Sequence, residues 1–328
     1  MTRSLILVLA LARVVAAEPR ATHLAIDDFS YAEWSSDGSG FYAIGTETWR
    51  RFDTSGKPRG AAETFCGLPD AATITRMPLS HRGLSPDGKL LAVMVQDNLP
   101  DAAPWIVDLA HCRARELDVP DGMVLALEWL ANGTLVGTRV PGGRFTIDGS
   151  GRLASLCAPN SGYAVHADVD GRAILVGAER IYQVDAACKR RWSWSPWHDV
   201  NPRTWVRDFS VSPSGKHIAV VGGVDNRVRL YVLATDRDEV VERMIEPQPG
   251  PIVWLDEETL VYPVENGERG TSQRRLEALA WRTQKRRPLV PTKPSCSDSN
   301  ADAPPRGGRL VFRRLCDDPR DSFVALVH

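Results

Sequence analysis

The sequence lacks a long apolar segment beyond its first 17 residues, and it lacks any cysteine pair with C-x-x-C spacing. A membrane-spanning helix needs about 20 apolar residues, so no such helix is predicted. Zinc sites and thioredoxin-like redox sites use closely spaced cysteines, so neither is predicted. The G-x-S-x-G elbow is also missing, and no local motif places a base beside a nucleophile.

The sequence has no marked excess of charge of either sign. It contains 40 Lys and Arg against 41 Asp and Glu, and its formal net charge is −1. Nucleic-acid binding needs a basic excess or stripe, whereas only short basic clusters occur, at 189–191 and 285–287. No nucleic-acid partner is therefore predicted. The hydrophobic fraction of 43% suffices to bury a core, so the chain as a whole is expected to fold.

The first 17 residues have the pattern of a secretory signal peptide. Arg3 supplies a positive start, residues 5–12 form a short apolar stretch, and small residues precede a cleavage point near Ala17. No cysteine follows the apolar stretch, so the lipid-attachment signal is missing. We therefore expect a soluble periplasmic or secreted protein, with one mature domain over 18–328.

All six cysteines lie beyond the expected cleavage point, at Cys66, Cys112, Cys157, Cys188, Cys296 and Cys316. An even set in an exported chain indicates disulfides. We favour sequential bridges, 66–112, 157–188 and 296–316, each linking nearby strands or blades. The number of possible connectivities leaves other pairings open.

One phrase recurs along the chain: an aromatic or aliphatic residue, a tight polar turn, and an alternating apolar strand. The turn glycines of five copies lie at positions 38, 88, 133, 171 and 215. A sixth copy, at 254–262, has no glycine, and a degenerate seventh lies at 305–312. Asp-Gly and Asn-Gly pairs tolerate the positive φ of a tight hairpin. Each phrase therefore predicts a strand, a turn and a second strand.

The spacing of these phrases indicates the architecture. Successive turn glycines lie 38 to 50 residues apart, which matches the roughly 40–50 residues of a propeller blade. Two further strand-like stretches follow a hairpin, as at 105–109 and 113–117, giving the four strands of a blade. The 26 Gly and 23 Pro interrupt any long helical period. The sequence therefore predicts an all-β protein, a β-propeller of four-stranded blades.

Seven blades are expected, from six clear phrases and the C-terminal remnant. In this arrangement an early strand around 22–26 joins strands at 309–313 and 322–327 in one composite blade. Such closure removes free sheet edges. Six blades is the alternative, if the last segment only patches the first.

Two of the phrases carry a family resemblance. Leu84-Ser-Pro-Asp-Gly-Lys-Leu-Leu-Ala and Val211-Ser-Pro-Ser-Gly-Lys-His-Ile-Ala resemble the WD40-like (PD40-type) repeat of TolB-like periplasmic propellers. The repeat is also similar to the propeller domain of prolyl-oligopeptidase-type enzymes, but the elbow motif of their hydrolase domain does not occur. The resemblance implies a periplasmic propeller without that catalytic domain.

A tryptophan-rich connection between the fourth and fifth phrases is the candidate binding site. Four tryptophans fall within 192–205, and Trp and Arg dominate interface hot spots. The candidate residues for binding a partner are Trp194, Trp197, His198, Asp199, Arg203 and Trp205. In the alternative interpretation these tryptophans only pack between blades and cover the channel mouth.

No metal site, cofactor or catalytic residue is assigned. Asp168, Asp170 and Gly171 resemble half of a calcium loop, but position 177 has no acid, so a turn is the better interpretation. We therefore favour a monomeric, non-catalytic binding module for a protein or peptide partner in the cell envelope. The alternative is a small-substrate hydrolase or lyase with a metal held in the central channel by several blades.

Overall fold

A computed structural model describes the chain in segments that contain strands and turns. The described residues are 21–24, 29, 31–35, 37–69, 73–75, 83–96, 103–119, 123–129, 133–140, 143–147, 153–155, 164–167, 173–176, 181–184, 190–194, 205–224, 227–235, 240–244, 251–265, 273–318 and 323–327. These segments contain no helix, so the predicted all-β class is confirmed for them. No helix that could cross a membrane was found among them either.

The strands of these segments form seven four-stranded sheets. Sheet 1 contains β2 (Tyr31–Trp34), β3 (Gly40–Ile44), β4 (Thr48–Asp53) and β5 (Glu63–Thr64). Sheet 2 contains β6 (Thr73–Thr75), β7 (Leu90–Gln96), β8 (Ala103–Asp108) and β9 (Arg113–Glu116). Sheet 3 contains β10 (Met123–Trp129), β11 (Leu135–Val140), β12 (Gly143–Ile147) and β13 (Leu153–Ser155).

The next three sheets repeat this order. Sheet 4 contains β14 (Ala164–Ala167), β15 (Ala173–Val176), β16 (Ile181–Val184) and β17 (Arg190–Trp194). Sheet 5 contains β18 (Trp205–Val211), β19 (His217–Val224), β20 (Arg227–Ala234) and β21 (Val240–Met244). Sheet 6 contains β22 (Val253–Trp254), β23 (Thr259–Glu265), β24 (Arg274–Ala280) and β25 (Lys285–Pro288).

Sheet 7 combines strands from both ends of the described chain. It contains β26 (Cys296–Asp302), β27 (Leu310–Cys316), β28 (Phe323–Val327) and the first strand, β1 (Ala21–Leu24). The β1–β28 pairing is antiparallel and joins Ala21 to Val327 and Leu24 to Val324. The sheet therefore takes one of its two edges from the N-terminal strand.

Neighbouring sheets meet through the first strand of each. Contacts join β26 to β2, β10 to β14 and β18 to β22. We therefore call the first strand of each of sheets 1 to 6, and β26 of sheet 7, the inner strand. The strand at the opposite edge of each sheet, which is β1 in sheet 7, is the outer strand.

The predicted turn glycines adopt the backbone that the turn needs. Gly38, Gly88, Gly133 and Gly215 have φ values of 69°, 68°, 81° and 71°, which a residue with a Cβ adopts only at a cost. The sixth turn, which has no glycine, is shorter. Its closing bond runs from Leu255 N–H to the Thr259 carbonyl. The first turn is one residue longer, because its closing bond runs from Ser35 N–H to the Gly40 carbonyl.

The hydrophobic core lies between facing sheets. Between sheets 7 and 1, Phe41 and Phe52 pack in one cluster with Val324 and Leu326. Equivalent clusters join sheets 1 and 2, 2 and 3, 5 and 6, and 6 and 7. Because the apolar faces are covered by the neighbouring sheet, each sheet depends on its neighbours for burial.

Buried carboxylates on inner strands also join neighbouring sheets. Three of them accept a backbone N–H from the next sheet: Glu33 Oε1 from Leu84 at 2.8 Å, Asp208 Oδ2 from Ile252 at 2.6 Å, and Asp302 Oδ2 from Trp34 at 2.7 Å. The three carboxylates are only 3%, 8% and 9% exposed. Trp34 belongs to the inner strand β2, Ile252 directly precedes the inner strand β22, and Leu84 forms an isolated bridge with Leu91 of β7. Residues at a sheet edge present unpaired N–H groups. Each carboxylate therefore supplies a partner for a donor that its own sheet leaves unpaired.

The structure contains two of the expected disulfides. Cys66–Cys112 links the segment after β5 to the turn between β8 and β9, so it joins sheets 1 and 2. Cys296–Cys316 joins directly opposed residues of β26 and β27 within sheet 7. The expected bridge between positions 157 and 188 lies outside the described residues.

We predict that Glu33→Ala lowers the free energy of unfolding by about 1–3 kcal/mol, because it leaves the buried Leu84 N–H without an acceptor. Glu33→Gln, which keeps an acceptor oxygen, should cost less. Urea unfolding measures both, with the exposed Glu47→Ala as the matched control. If Glu33→Ala and Glu47→Ala unfold at the same urea concentration, the contact contributes nothing.

Candidate functional site

The candidate tryptophan segment begins and ends on described strands. Trp194 is the last residue of β17 and pairs with Ile181. Trp205 is the first residue of β18 and pairs with Gly223. The candidate residues between them, Trp197, His198, Asp199 and Arg203, lie outside the described residues. The structure therefore fixes the two ends of the candidate site on the outer strand of sheet 4 and the inner strand of sheet 5.

The topology sets the distance between the two kinds of strand that this segment connects. Strands lie about 4.8 Å apart, so about 14 Å separate the outer strand from the inner strand of one sheet. Residues 195–204 connect these two kinds of strand and could extend to about 33 Å. The segment is therefore long enough to cross a sheet with chain to spare. We call the face that carries such sheet-to-sheet connections the loop face.

The opposite face carries the turns between the first two strands of each sheet, and we call it the turn face. Its turns bond to neighbouring sheets. The Tyr42 hydroxyl donates to the Gly88 carbonyl at 3.1 Å. Glu257 Oε1 accepts the Ser214 N–H at 2.6 Å, and Glu257 Oε2 accepts the Ser214 hydroxyl at 2.9 Å. Gly308 N–H donates to the Leu255 carbonyl.

Two glycines of the turn face, Gly88 and Gly307, also lack space for a side chain. A Cβ at Gly307 would collide with the Leu255 carbonyl and lie 3.2 Å from Pro213 Cγ. A Cβ at Gly88 would lie 2.7 Å from the Tyr42 hydroxyl oxygen. These turns of sheets 1, 2, 5, 6 and 7 are thus held against neighbouring sheets.

The turn aspartates are structural. Asp87 Oδ1 accepts the Ser85 hydroxyl at 2.7 Å and the Lys89 N–H at 3.2 Å. Burial acts to raise the pKa of Asp87, but hydrogen bonds from Ser85 and Lys89 to the charged form outweigh it and hold the pKa below its ordinary value. Asp37 has the same arrangement with Ser35 and Ser39, and its pKa is lowered in the same way.

A serine, a carboxylate and a histidine meet between the turns of sheets 5 and 6, but not as a catalytic triad. The Ser214 hydroxyl donates to Glu257, and His217 Nδ1 lies 3.7 Å from the same carboxylate. In a triad the histidine stands between the serine and the acid, whereas here the acid stands between the other two. His217 also packs beside Trp254 and Trp281. The group joins two sheets and lacks the order that nucleophile activation requires.

The inner strand of sheet 7 carries a buried ion pair that its neighbours satisfy. Arg314 donates to both carboxylate oxygens of Asp298. It also donates to the Pro291 carbonyl and the Thr292 hydroxyl. No group of three or more His, Cys, Asp or Glu side chains that could hold a metal occurs in the part of the chain that the structure describes. Of the half calcium loop, Asp168 and Asp170 are outside that part.

Sequence reasoning missed the inter-sheet carboxylates. A weak signal exists, because Glu33 and Asp302 each stand five residues before a glycine of the turn, Gly38 and Gly307. Glu128, ahead of Trp129, has the same place and is fully buried. An acid recurring at a fixed position before the turn could have indicated a structural role.

Comparisons with known proteins identify the fold. Scans against protein-family models and curated proteins found no match. Among solved structures, a chain of a mitotic checkpoint complex superimposes with a TM-score of 0.61 and 14% identity, covering 100% of this chain and 98% of that chain. The β-propeller domain of Cps50 (Swd1) from Myceliophteria thermophila superimposes with a TM-score of 0.59 and 13% identity, covering 94% and 99%. Both neighbours are WD40 β-propellers, so the predicted WD40-like propeller fold is confirmed.

We predict that Asp87→Ala destabilises the protein at neutral pH, by less than about 1 kcal/mol because the carboxylate is partly exposed. A carboxylate with a lowered pKa in the folded state stabilises the protein fully at pH values above its pKa in the unfolded chain. This stabilisation is lost as the pH falls through the pKa in the folded state. The difference in the free energy of unfolding between wild type and Asp87→Ala should therefore shrink as the pH is lowered. Urea unfolding at pH 7, 5 and 3 tests this, with exposed Asp118→Ala as control. A difference in unfolding free energy that stays constant with pH would exclude stabilisation by the charged Asp87 carboxylate.

Proposed function

We propose that this protein is an exported, seven-bladed β-propeller that binds a protein or peptide partner in the cell envelope through its loop face. The observation that carries the proposal is the difference between the two faces. Described turns on one face bond and pack with one another. The tryptophan-rich connection joins the end of β17 to the start of β18, and we assign these strand ends to the loop face.

The propeller closes, in this proposal, between sheets 4 and 5. Contacts and core clusters link the sheets in the order 5, 6, 7, 1, 2, 3, 4. The remaining junction is the one that residues 195–204 connect. Seven blades in one ring would leave no inner strand without neighbours. The candidate site then lies where the ring closes.

A protein partner suits this architecture better than a small substrate. Propellers with similar folds serve as interaction modules, and one structural neighbour is a chain of a multi-protein complex. Tryptophan and arginine, which the connection combines, are the residues that most often dominate protein interfaces. The disulfides of the described segments are compatible with an oxidising compartment outside the cytosol.

We predict that Trp197→Ala combined with Arg203→Ala weakens partner recovery at least about tenfold, because truncating a hot spot costs about 2 kcal/mol or more. The measurement is quantitative pull-down from envelope extracts with the full-length tagged protein as bait. Lys285→Ala with Arg287→Ala, on the exposed outer strand of sheet 6, is the matched control.

A photo-crosslinking residue at position 197 should yield a specific adduct, and one at position 286 should not. Equal recovery by both double variants would show that the tryptophan connection does not bind the partner. Absence of any reproducible partner would overturn the binding function itself.

A further inference from the structure

The Cys66–Cys112 disulfide lies at the surface and joins two different sheets. Cys66 is half-buried and Cys112 is exposed. Their sequence separation is 46 residues, and no strand pairing connects sheets 1 and 2. A dissolved thiol can therefore reach the bond, and cleaving it would remove the one covalent link between these sheets other than the chain itself.

The backbone at Cys112 suits a glycine better than a cysteine. Its φ is 55°, in the left-handed region. The corresponding turn of sheet 1 has Gly56 with φ 84°. A residue with a Cβ in this region costs about 1 kcal/mol or more. Gln284, which directly precedes the outer strand of sheet 6 as Cys112 precedes that of sheet 2, has φ 60°, so the fold accepts this cost at an equivalent turn without a disulfide.

The residue after Cys66 lies directly on the outer strand of sheet 2. A Cβ on Gly67 would lie 2.7 Å from the Ala114 nitrogen. Leu117 N–H donates inward to the Pro104 carbonyl, so by the alternation of an antiparallel ladder the Ala114 N–H points away from β8. The segment 65–68 therefore covers an otherwise open strand edge.

The covering segment packs on apolar side chains through two of its own residues. Phe65 and Leu68 pack on the core between sheets 1 and 2, as do the half-buried Trp49, Trp105 and Leu109 of those sheets. Removing the segment would expose a set of aromatic and aliphatic side chains beside an open strand edge. Surfaces of this kind bind other chains.

Apart from the packing of Phe65 and Leu68, few contacts in the described part of the chain hold the covering segment. The strand before it, β5, has only two residues, both exposed. It pairs with β4 through Thr48 and Trp49, and Phe65 N–H donates to the Glu47 carbonyl at 3.0 Å. The turn that carries Cys112 is better fixed, because Asp108 accepts the N–H groups of Ala110 and His111. Cleavage of the bond would therefore release the Cys66 side.

The second disulfide offers an internal contrast. Cys296 is only 1% exposed. Cys296 and Cys316 are opposite residues of paired strands, and Asp317 N–H donates to the Ser295 carbonyl beside them. Cleaving this bond would leave the strand pairing in place, so of the two disulfides in the described segments only the first has the properties of a latch.

We propose that Cys66–Cys112 is a redox latch that controls exposure of the rim between sheets 1 and 2. A dithiol reductant attacks the exposed Cys112 sulfur, and Cys66 leaves as a thiolate that takes up a proton. The reductant's second thiol then displaces Cys112, so that the dithiol becomes a disulfide and the protein gains two electrons and two protons. This latch is independent of the proposed partner site on the loop face.

The test is stepwise reduction of the full-length protein by dithiothreitol without denaturant, followed by alkylation and mass spectrometry. We expect Cys66 and Cys112 to become alkylated at reductant concentrations that leave Cys296 and Cys316 unmodified. In the same samples, hydrogen exchange of the Ala114 amide should accelerate at least tenfold, while amides of sheet 7 stay unchanged.

A variant pair separates the latch from general loss of stability. Cys66→Ser with Cys112→Ser should show fast Ala114 exchange without reductant and no further change on reduction. Cys296→Ser with Cys316→Ser should respond to reductant as the wild type does. Simultaneous reduction of both disulfides, or unchanged Ala114 exchange after cleavage of Cys66–Cys112, would overturn the proposal.

Discussion

The fold depends on how the edges at its inner strands are satisfied. An inner strand has a pairing partner on one side only, and its remaining N–H donors are buried by the neighbouring sheets. A buried donor without an acceptor costs about 1–3 kcal/mol, and a buried carboxylate is itself costly unless it accepts hydrogen bonds. The hydrogen bonds that Glu33, Asp208 and Asp302 accept serve both requirements, because the carboxylate and the donor come from adjacent sheets. The same contacts fix the order and spacing of the sheets.

Because the sheets assemble in this way, the turn face and the loop face of the protein have different roles. Turns beside the inner strands are occupied by contacts such as Ser214–Glu257, and the outer strand of sheet 6 is short, basic and ends in Pro288, which disfavours pairing with another chain. The connections of the loop face are not required for sheet pairing, so they can differ between blades. The tryptophan-rich connection is the clearest case of such a difference in this sequence.

The sequence predicted the repeat well because a turn is a local structure. Gly38 and Gly88 occupy turn positions with positive φ, and a strand of alternating apolar residues begins two residues after each. The turn glycine and the strand pattern can therefore both be recognised within one short segment. The contacts between sheets were not predicted, since Trp34 and Asp302 are 268 residues apart. An acid in a strand is ordinarily read as solvent-facing. The candidate site was located only to its ends, Trp194 and Trp205, because nothing local specifies the course of a connection between sheets.

The most direct test of this account is native-state hydrogen exchange of the Trp34, Leu84 and Ile252 amides. If inner-strand carboxylates on the adjacent sheet bind these donors, all three should exchange only with global unfolding, as slowly as amides at the centre of a sheet. Exchange at the rate of amides on the exposed outer strands would show that the donors are open to water and would contradict the proposed basis of the assembly.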